Sequence, residues 1–193
     1  MLDAVLTKKN VSVKLKLTVK TLVAAGVVAL AVLLPQLCHL AFGAAGGVLL
    51  LPMYLPVLIG GCVLGWKWGL GVGILSPVVS FLLTLAISEP MPAAVRLPYM
   101  IAELAVFAAV SGAFSKKIAK NSWMAFPAVL LAAVAGRCVF LALAAIFQSV
   151  SPLSFALVWS QVQTGLLGLV LQAVLVPVLV MGLSKLMNRE NKE

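Results

Sequence analysis

Six long apolar runs, separated by short stretches that hold most of the charged residues, set the pattern of this chain. Each run is long enough to cross a hydrocarbon core of roughly 30 Å as a helix rising about 1.5 Å per residue. Backbone groups in lipid must be satisfied within the segment, and the alternating pattern of a membrane β-barrel is absent. The pattern predicts an all-α integral membrane protein, one domain over 1–193, with six transmembrane helices at about 17–37, 48–64, 68–87, 97–114, 125–147 and 159–187.

The basic residues predict the orientation of these helices. In a six-span topology twelve of them fall on one side, whereas the opposite loops, 38–47, 88–96 and 148–158, hold only Arg96. The positive-inside rule then places both termini in the cytoplasm. The twelve are Lys8, Lys9, Lys14, Lys16, Lys20, Lys67, Lys116, Lys117, Lys120, Lys185, Arg189 and Lys192.

The segment before the first run supports two interpretations. Residues 11–20 alternate apolar and polar side chains, which formally favours a strand, but a lone strand beside a membrane has no pairing partner. We expect residues 1–16 to be a cytoplasmic lead-in that continues into the first helix. The alternative is a cleaved signal peptide within 1–45, which would leave five spans and an external N-terminus.

Two prolines stand at the start of the second run, in the stretch LLLPMYLP. Pro52 and Pro56 each remove a backbone donor, which costs least in the first turn of a helix, where the amides have no helical partner. Irregular backbone at membrane depth is tolerated where it lines a cavity. We therefore expect the rim of a binding pocket here, with Met53 and Tyr54 as contact residues.

Composition narrows the classes of function. The chain is 63% hydrophobic and carries a net charge of +9, but the positive charge follows the topology and does not indicate nucleic-acid binding. Three cysteines without a CxxC pair and a single histidine argue against a metal site. Trp66 stands where a phosphate-binding loop would need lysine, so the chain is not expected to hydrolyse ATP. No catalytic constellation appears, and neither an enzyme activity nor a cofactor is predicted.

Two charged residues lie inside predicted spans, Glu103 in the fourth and Arg137 in the fifth. A charge at membrane depth costs roughly 2.5–3.5 kcal/mol on insertion scales, so such residues usually face the bundle interior and find a partner. Both lie toward the outer half, so an ion pair between them is expected, either structural or facing a ligand. Arg96, at the end of a proline-rich loop expected to be stiff and extended, is either an anion clamp or an interfacial anchor.

Aromatic and amide side chains gather near the same outer rim. Tyr99 and Trp159 fit an interfacial aromatic belt, but together with Tyr54 and Gln163 they also fit an outward-facing cavity with apolar walls and a few polar groups. Gln161 and Gln172 in the last span are further candidates for this interior.

Small residues four apart predict close helix packing. Ala25 and Ala29 lie in the first span, and Gly65, Gly69 and Gly73 lead into the third. Either internal packing or a surface for a partner membrane protein explains such spacing, and the spacing alone does not decide between them.

Taken together, these features resemble the substrate-binding S components of energy-coupling factor (ECF) vitamin transporters. The resemblance covers nearly the whole chain and rests on six spans, on the Ala25/Ala29 pair and on four blocks in order. It is greatest to the branch associated with pantothenate uptake, whose members commonly read His where this chain has Tyr54. The blocks are LLPMYLPVLIGGCVLGWKWGLGVGILSPVVSFLLT, MPAAVRLPYMIAELAVFAAVSGAFSKK, AGR and LQAVLVPVLV.

The resemblance implies a function in a bacterial cell membrane. An S component captures a water-soluble vitamin from outside and docks, through the first-span alanines, on a membrane coupling subunit driven by two cytoplasmic ATPases. Pantothenate is the leading candidate, because Arg96 or Arg137 could hold its carboxylate. The alternative is a stand-alone, ion-coupled carrier or channel that uses the Glu103–Arg137 pair as its charge-sensing element.

Overall fold

The computed structural model describes residues 1–8, 11–86, 91–147 and 155–189, and all regular structure within them is helical. The α-helices of these residues are α1 (Leu2–Lys8), α2 (Val13–Leu50), α3 (Tyr54–Leu64), α4 (Trp66–Leu85), α5 (Leu97–Ala113), α6 (Ser115–Lys120), α7 (Ala125–Phe147) and α8 (Phe155–Arg189). A 3₁₀ turn, Ser122–Met124, lies directly before α7.

In the part of the chain that the structure describes, each of the six predicted runs overlaps an apolar helix. Four are long and apolar enough to cross a membrane, within α2, α4, α7 and α8. The other two, α3 and α5, are apolar but shorter. Many large apolar side chains face outward, among them Leu22, Leu30 and Leu40 of α2. Because the chain is more apolar than soluble proteins are, such exposed leucines are expected at a surface in contact with lipid.

The connection between the first two runs differs from the prediction. The expected loop 38–47 is mostly helical, because α2 continues to Leu50 and changes direction only at Gly43, where φ is +66°. The second run is not one helix from residue 48. It is interrupted at Leu51, which adopts φ 47°, and by a turn at Pro52 and Met53, so α3 begins at Tyr54. The prolines thus stand in the turn and the first turn of α3, where they remove the fewest helical hydrogen bonds.

Glycines bring α3, α4 and α5 close together. Gly65, with φ +87°, makes the one-residue turn between α3 and α4. A Cβ at Gly73 would lie 2.5 Å from the carbonyl oxygen of Leu104, and one at Gly69 would lie 2.9 Å from that of Ala108. This part of the glycine spacing therefore serves internal packing of α4 on α5.

The N-terminal segment is helical rather than extended. Leu2 and Leu6 of α1 are buried in the core, and Asp3 forms an ion pair with Lys20 of α2 at 2.6 Å. Ser12 caps α2 by accepting a hydrogen bond from the Leu15 amide, so the alternating stretch forms the first turns of that helix.

Hydrogen bonds attach residues 91–96, the described part of the proline-rich loop, to α4, and this part is turned rather than extended. The Ser80 hydroxyl donates to the Met91 carbonyl at 2.8 Å, and the Met91 amide donates to Thr84 Oγ1 at 2.7 Å. The Arg96 amide then donates to the Ala93 carbonyl, closing a turn directly before α5. Glu89 and Pro90 lie outside the described residues.

Candidate functional site

The predicted ion pair forms in the interior of the bundle. Arg137 Nη1 of α7 lies 3.1 Å from Glu103 Oε1 of α5, with side-chain exposures of 12% and 0%. Each charge thereby gains a partner, which lowers the cost of holding it among apolar side chains. The pair also links α5 and α7, which pack against each other.

Tyr54, in the first turn of α3, completes a three-residue cluster. Its hydroxyl donates to Glu103 Oε2 at 2.5 Å, so each carboxylate oxygen of Glu103 has one polar neighbour. The Arg137 guanidinium carbon lies 5.4 Å from the centre of the Tyr54 ring, within the range of a cation–π contact. We call Tyr54, Glu103 and Arg137 the buried polar cluster.

Aromatic rings enclose the buried polar cluster. The Phe107 ring meets Tyr54 edge-on at 4.9 Å, and Phe140 lies 6.0 Å from the Arg137 guanidinium carbon. Gly136 explains the close approach of α5 and α7, because a Cβ there would lie 2.2 Å from a carbon of the Phe107 ring. These rings exclude water and strengthen the electrostatic interactions within the cluster.

Polar atoms of this region remain without hydrogen bonds. Nε and Nη2 of Arg137 are buried and have no hydrogen-bond partner among the described residues. Gln172 of α8 donates from Nε2 to the carbonyl oxygens of Leu50 and Leu51, at 3.0 and 2.7 Å, while its Oε1 is buried and unpartnered. Buried polar groups are normally hydrogen-bonded, so these unpartnered atoms set the region apart from an ordinary apolar helix interface.

The other predicted site residues divide into two groups. Met53 is buried in the core beside Tyr54, and Tyr99 packs edge-on against Phe140 at 6.1 Å, which joins it to the Arg137 side of the cluster. Arg96 is half-buried directly before α5, with no side-chain hydrogen bond or ion pair to the described residues. Trp159 and Gln163 are exposed on α8, and no polar or ring contact within the described part of the chain joins them to the cluster.

Sequence reasoning gave too little weight to two residues here. Gly136 carries no chemical signal, because a glycine in an apolar span is usually interpreted as ordinary packing. Gln172 was recognisable only as one of several amides in the last span. Its contacts with Leu50 and Leu51 depend on the break before α3, which no periodicity predicts.

A second feature is an open apolar groove of about 850 Å³ between α2 and α4. Ala25 and Ala29 are both exposed and lie in its wall, opposite Gly71 and Leu75. Ala25 and Ala29 therefore line an open groove, whereas Gly69 and Gly73 pack internally against α5. Among the described residues, no group of three or more His, Cys, Asp and Glu side chains is placed to hold a metal ion.

A bundle of apolar helices with a polar cluster sealed in its interior is the architecture of a multi-pass membrane protein. The family model of the ECF transporter substrate-specific component matches residues 20–180, and the chain belongs to this family. It is therefore a membrane transport component with a substrate-binding role, and its family is not a family of enzymes. Comparison with the curated proteins and with the solved structures found no significant match.

Proposed function

We propose that this chain is the S component that captures a water-soluble vitamin outside a bacterial cell and delivers it inward, with pantothenate as the leading candidate. Family membership supports the transport role. The observation that carries the site is the buried polar cluster, in which Arg137 uses one nitrogen for Glu103 and leaves two without partners. An arginine fork of this kind binds a carboxylate well.

The proposed ligand shell consists of Met53, Tyr54, Tyr99, Glu103 and Arg137. Met53, Tyr54, Tyr99 and Glu103 are buried, and the Arg137 side chain is 12% exposed. Aromatic and thioether walls with a few polar groups have the usual character of a small-molecule site. Arg96, Trp159 and Gln163 are proposed contacts at the mouth, where Arg96 would attract an anionic vitamin before it reaches Arg137.

The proposed topology has six spans with both termini in the cytoplasm. It rests on six apolar helical segments and on the distribution of the basic residues. This orientation puts the turn before Tyr54 and the start of α5 on the outer side. A vitamin arriving from outside would then meet the buried polar cluster first.

The proposed partners are a membrane coupling subunit and two cytoplasmic ATPases. The groove between α2 and α4 is a suitable docking surface, because Ala25 and Ala29 are exposed and present no bulk to an approaching helix. Its lining is almost wholly apolar, with Thr21 and Lys67 as polar exceptions near one end. Without a phosphate-binding loop of its own, the chain would take the energy for uptake from these ATPases.

Copurification tests the substrate most directly. The protein is purified in mild detergent, its bound small molecules are identified by mass spectrometry, and a panel of vitamins is titrated against the ligand-free protein. We expect pantothenate to copurify and to bind at submicromolar concentration. No binding of pantothenate at micromolar concentration would reject it as the substrate, and copurification of another vitamin would identify the replacement.

A further inference from the structure

A basic pocket of about 570 Å³ lies where α1 and α2 meet the start of α4 and the junction of α5 with α6. Its described lining contains three lysines, Lys20, Lys67 and Lys116, and a single acidic residue, Asp3. Asp3 is paired with Lys20 at 2.6 Å, whereas neither Lys67 nor Lys116 forms an ion pair with a described residue. The pocket therefore presents two uncompensated positive charges to an anion.

Two tryptophans border the basic pocket. Trp66 is exposed and Trp68 is half-buried, and Lys67 Nζ lies 5.6 Å from the centre of the Trp66 ring. Indole rings are enriched at the level of the lipid headgroups, because one edge is polar and the rest is apolar. In the proposed topology this end of α4 is cytoplasmic, so the basic pocket lies at the headgroup level of that leaflet.

The basic pocket adjoins the apolar groove between α2 and α4, because Lys67 and Trp68 line both. From this shared end the groove extends along α4 as far as Leu83. Along α2 it extends from Thr21 to Leu33, which is about 18 Å at the helical rise. One leaflet provides about half of a hydrocarbon core of roughly 30 Å, so the groove is long enough for one acyl chain.

We propose that the basic pocket and the groove together bind one anionic phospholipid, with its phosphate beside Lys67 and Lys116 and one acyl chain between α2 and α4. Basic pockets between membrane helices on the cytoplasmic side recognise anionic headgroups in this way. A soluble anion would leave the groove empty, and a lipid without net charge would leave both lysines uncompensated. The lipid would occupy the subunit while it is free, and its chain would leave the groove when the proposed coupling subunit docks there.

A matched pair of lipids tests the charge preference. The delipidated protein in detergent is mixed with equal amounts of phosphatidylglycerol and phosphatidylethanolamine that carry identical acyl chains. Native mass spectrometry then measures the ratio of the two complexes with one bound lipid. We expect phosphatidylglycerol to be favoured roughly tenfold, as two lysines beside an anionic headgroup would produce. Equal binding of the two lipids would overturn the proposal.

A double variant tests whether the pocket is the source of this preference. Lys67→Gln combined with Lys116→Gln should reduce the ratio to about one, because the headgroup loses both charges. Lys117→Gln combined with Lys120→Gln is the matched control, since it removes the same charge from the same end of the bundle and neither residue lines the pocket. An equal loss of preference in the two double variants would indicate a diffuse surface potential and overturn the assignment to the pocket.

Gly71→Leu tests the position of the acyl chain. Gly71 lines the groove and a Cβ there meets nothing within 4 Å, so the added side chain would project into the groove. Both lipids should bind several-fold more weakly, with the preference for phosphatidylglycerol retained. Gly182→Leu on α8 is the control, because its Cβ also meets nothing within 4 Å and it does not line the groove. Equal lipid binding by the two variants would show that no chain occupies the groove.

A soluble phosphate is the alternative ligand of the basic pocket. Glycerol 3-phosphate carries the phosphate without an acyl chain, and we expect it to compete with phosphatidylglycerol only at a large excess. Effective competition at equal concentration would assign the pocket to a soluble phosphate and overturn the lipid site. These titrations contain neither vitamin nor coupling subunit, so their failure would leave the proposed function in place.

Discussion

Each residue of the buried polar cluster depends on the other two. Arg137 and Glu103 neutralise each other in the interior, and Tyr54 supplies a hydrogen bond to the carboxylate oxygen that Arg137 does not face. A buried pair of this kind adds little net stability compared with well-packed apolar side chains, but removing one member leaves an uncompensated charge. The cluster is therefore more informative about function than about stability.

Tyr54→Phe should destabilise the protein by about 1.5–3 kcal/mol, the usual loss when a hydrogen bond to a charged group is removed. The phenyl ring would still pack edge-on against Phe107. Tyr99→Phe is the matched control, since the Tyr99 hydroxyl has no hydrogen bond to a described residue and its ring packs on Phe140. Unfolding in detergent measures both, and equal stability of the two variants would contradict the role given to the Tyr54 hydroxyl.

Arg137→Gln should destabilise the protein by about 3–5 kcal/mol, because Glu103 would remain buried without its partner. The double variant Glu103→Gln/Arg137→Gln should recover part of this loss, since it buries no charge. The double variant also keeps a folded protein in which ligand binding can be measured. Additive losses in the double variant would show that the two residues do not interact energetically.

Arg96→Gln, measured beside that double variant, distinguishes the two arginines. We expect Arg96→Gln to leave stability unchanged, because Arg96 is half-buried and without polar contacts among the described residues. It should slow vitamin association more than it increases dissociation, since a charge at the mouth of a site mainly steers the encounter. Loss of binding in Arg96→Gln with normal binding in the double variant would make Arg96 the clamp instead.

At the scale of helices, hydrophobic runs predicted much of the fold. The fifth run coincides with α7, and the fourth nearly coincides with α5. Long uncharged runs define such helices because lipid leaves the backbone no other way to satisfy its hydrogen bonds. The same rule gave the wrong helix start at the second run, because the apolar sequence there did not indicate the break at Leu51.

The break at Leu51 explains why the candidate site was only partly predictable. A positive φ at leucine is disfavoured locally, so tertiary contacts must maintain it. The two hydrogen bonds from Gln172 to Leu50 and Leu51 are such contacts. Glu103, Arg137 and Tyr54 were identifiable because charges and prolines are rare in apolar spans, whereas the contacts of Gly136 and Gln172 depend on the folded backbone.

Gly73→Ala should weaken the packing of α4 on α5 and destabilise the protein by about 1–3 kcal/mol, the range for overpacking a close contact. The added Cβ would lie 2.5 Å from the Leu104 carbonyl oxygen. Gly71→Ala, two residues earlier on α4, meets nothing within 4 Å and should have no destabilising effect. Thermal unfolding compares the two, and an unchanged Gly73→Ala protein would contradict this close packing.

At the scale of the whole molecule, the buried polar cluster proposed to bind the substrate and the apolar groove proposed to bind the coupling subunit lie in different parts of the bundle. The cluster lies among α3, α5 and α7, whereas the groove lies between α2 and α4. The two features share no described residue. On the proposed function we therefore expect the vitamin to bind without the coupling subunit, and removal of the coupling subunit to leave vitamin binding unchanged.

Ala25→Leu combined with Ala29→Leu should reduce copurification of the coupling subunit by at least about tenfold, because the bulkier side chains prevent close helix approach. Vitamin affinity should stay at the wild-type value. Gly26→Leu is the control, since Gly26 is exposed on α2 but does not line the groove. Equal copurification of the double variant and the wild type would place the docking surface elsewhere.

The central claim is that this chain captures a vitamin for a partner-driven importer, and uptake tests it most directly. Labelled pantothenate is supplied to cells that lack their own uptake system and express the chain alone, or with a coupling subunit and two ATPases. We predict accumulation only with the full set, and its loss when the ATPases are inactivated. Uptake by the chain alone that follows an ion gradient would contradict the claim and favour a stand-alone carrier.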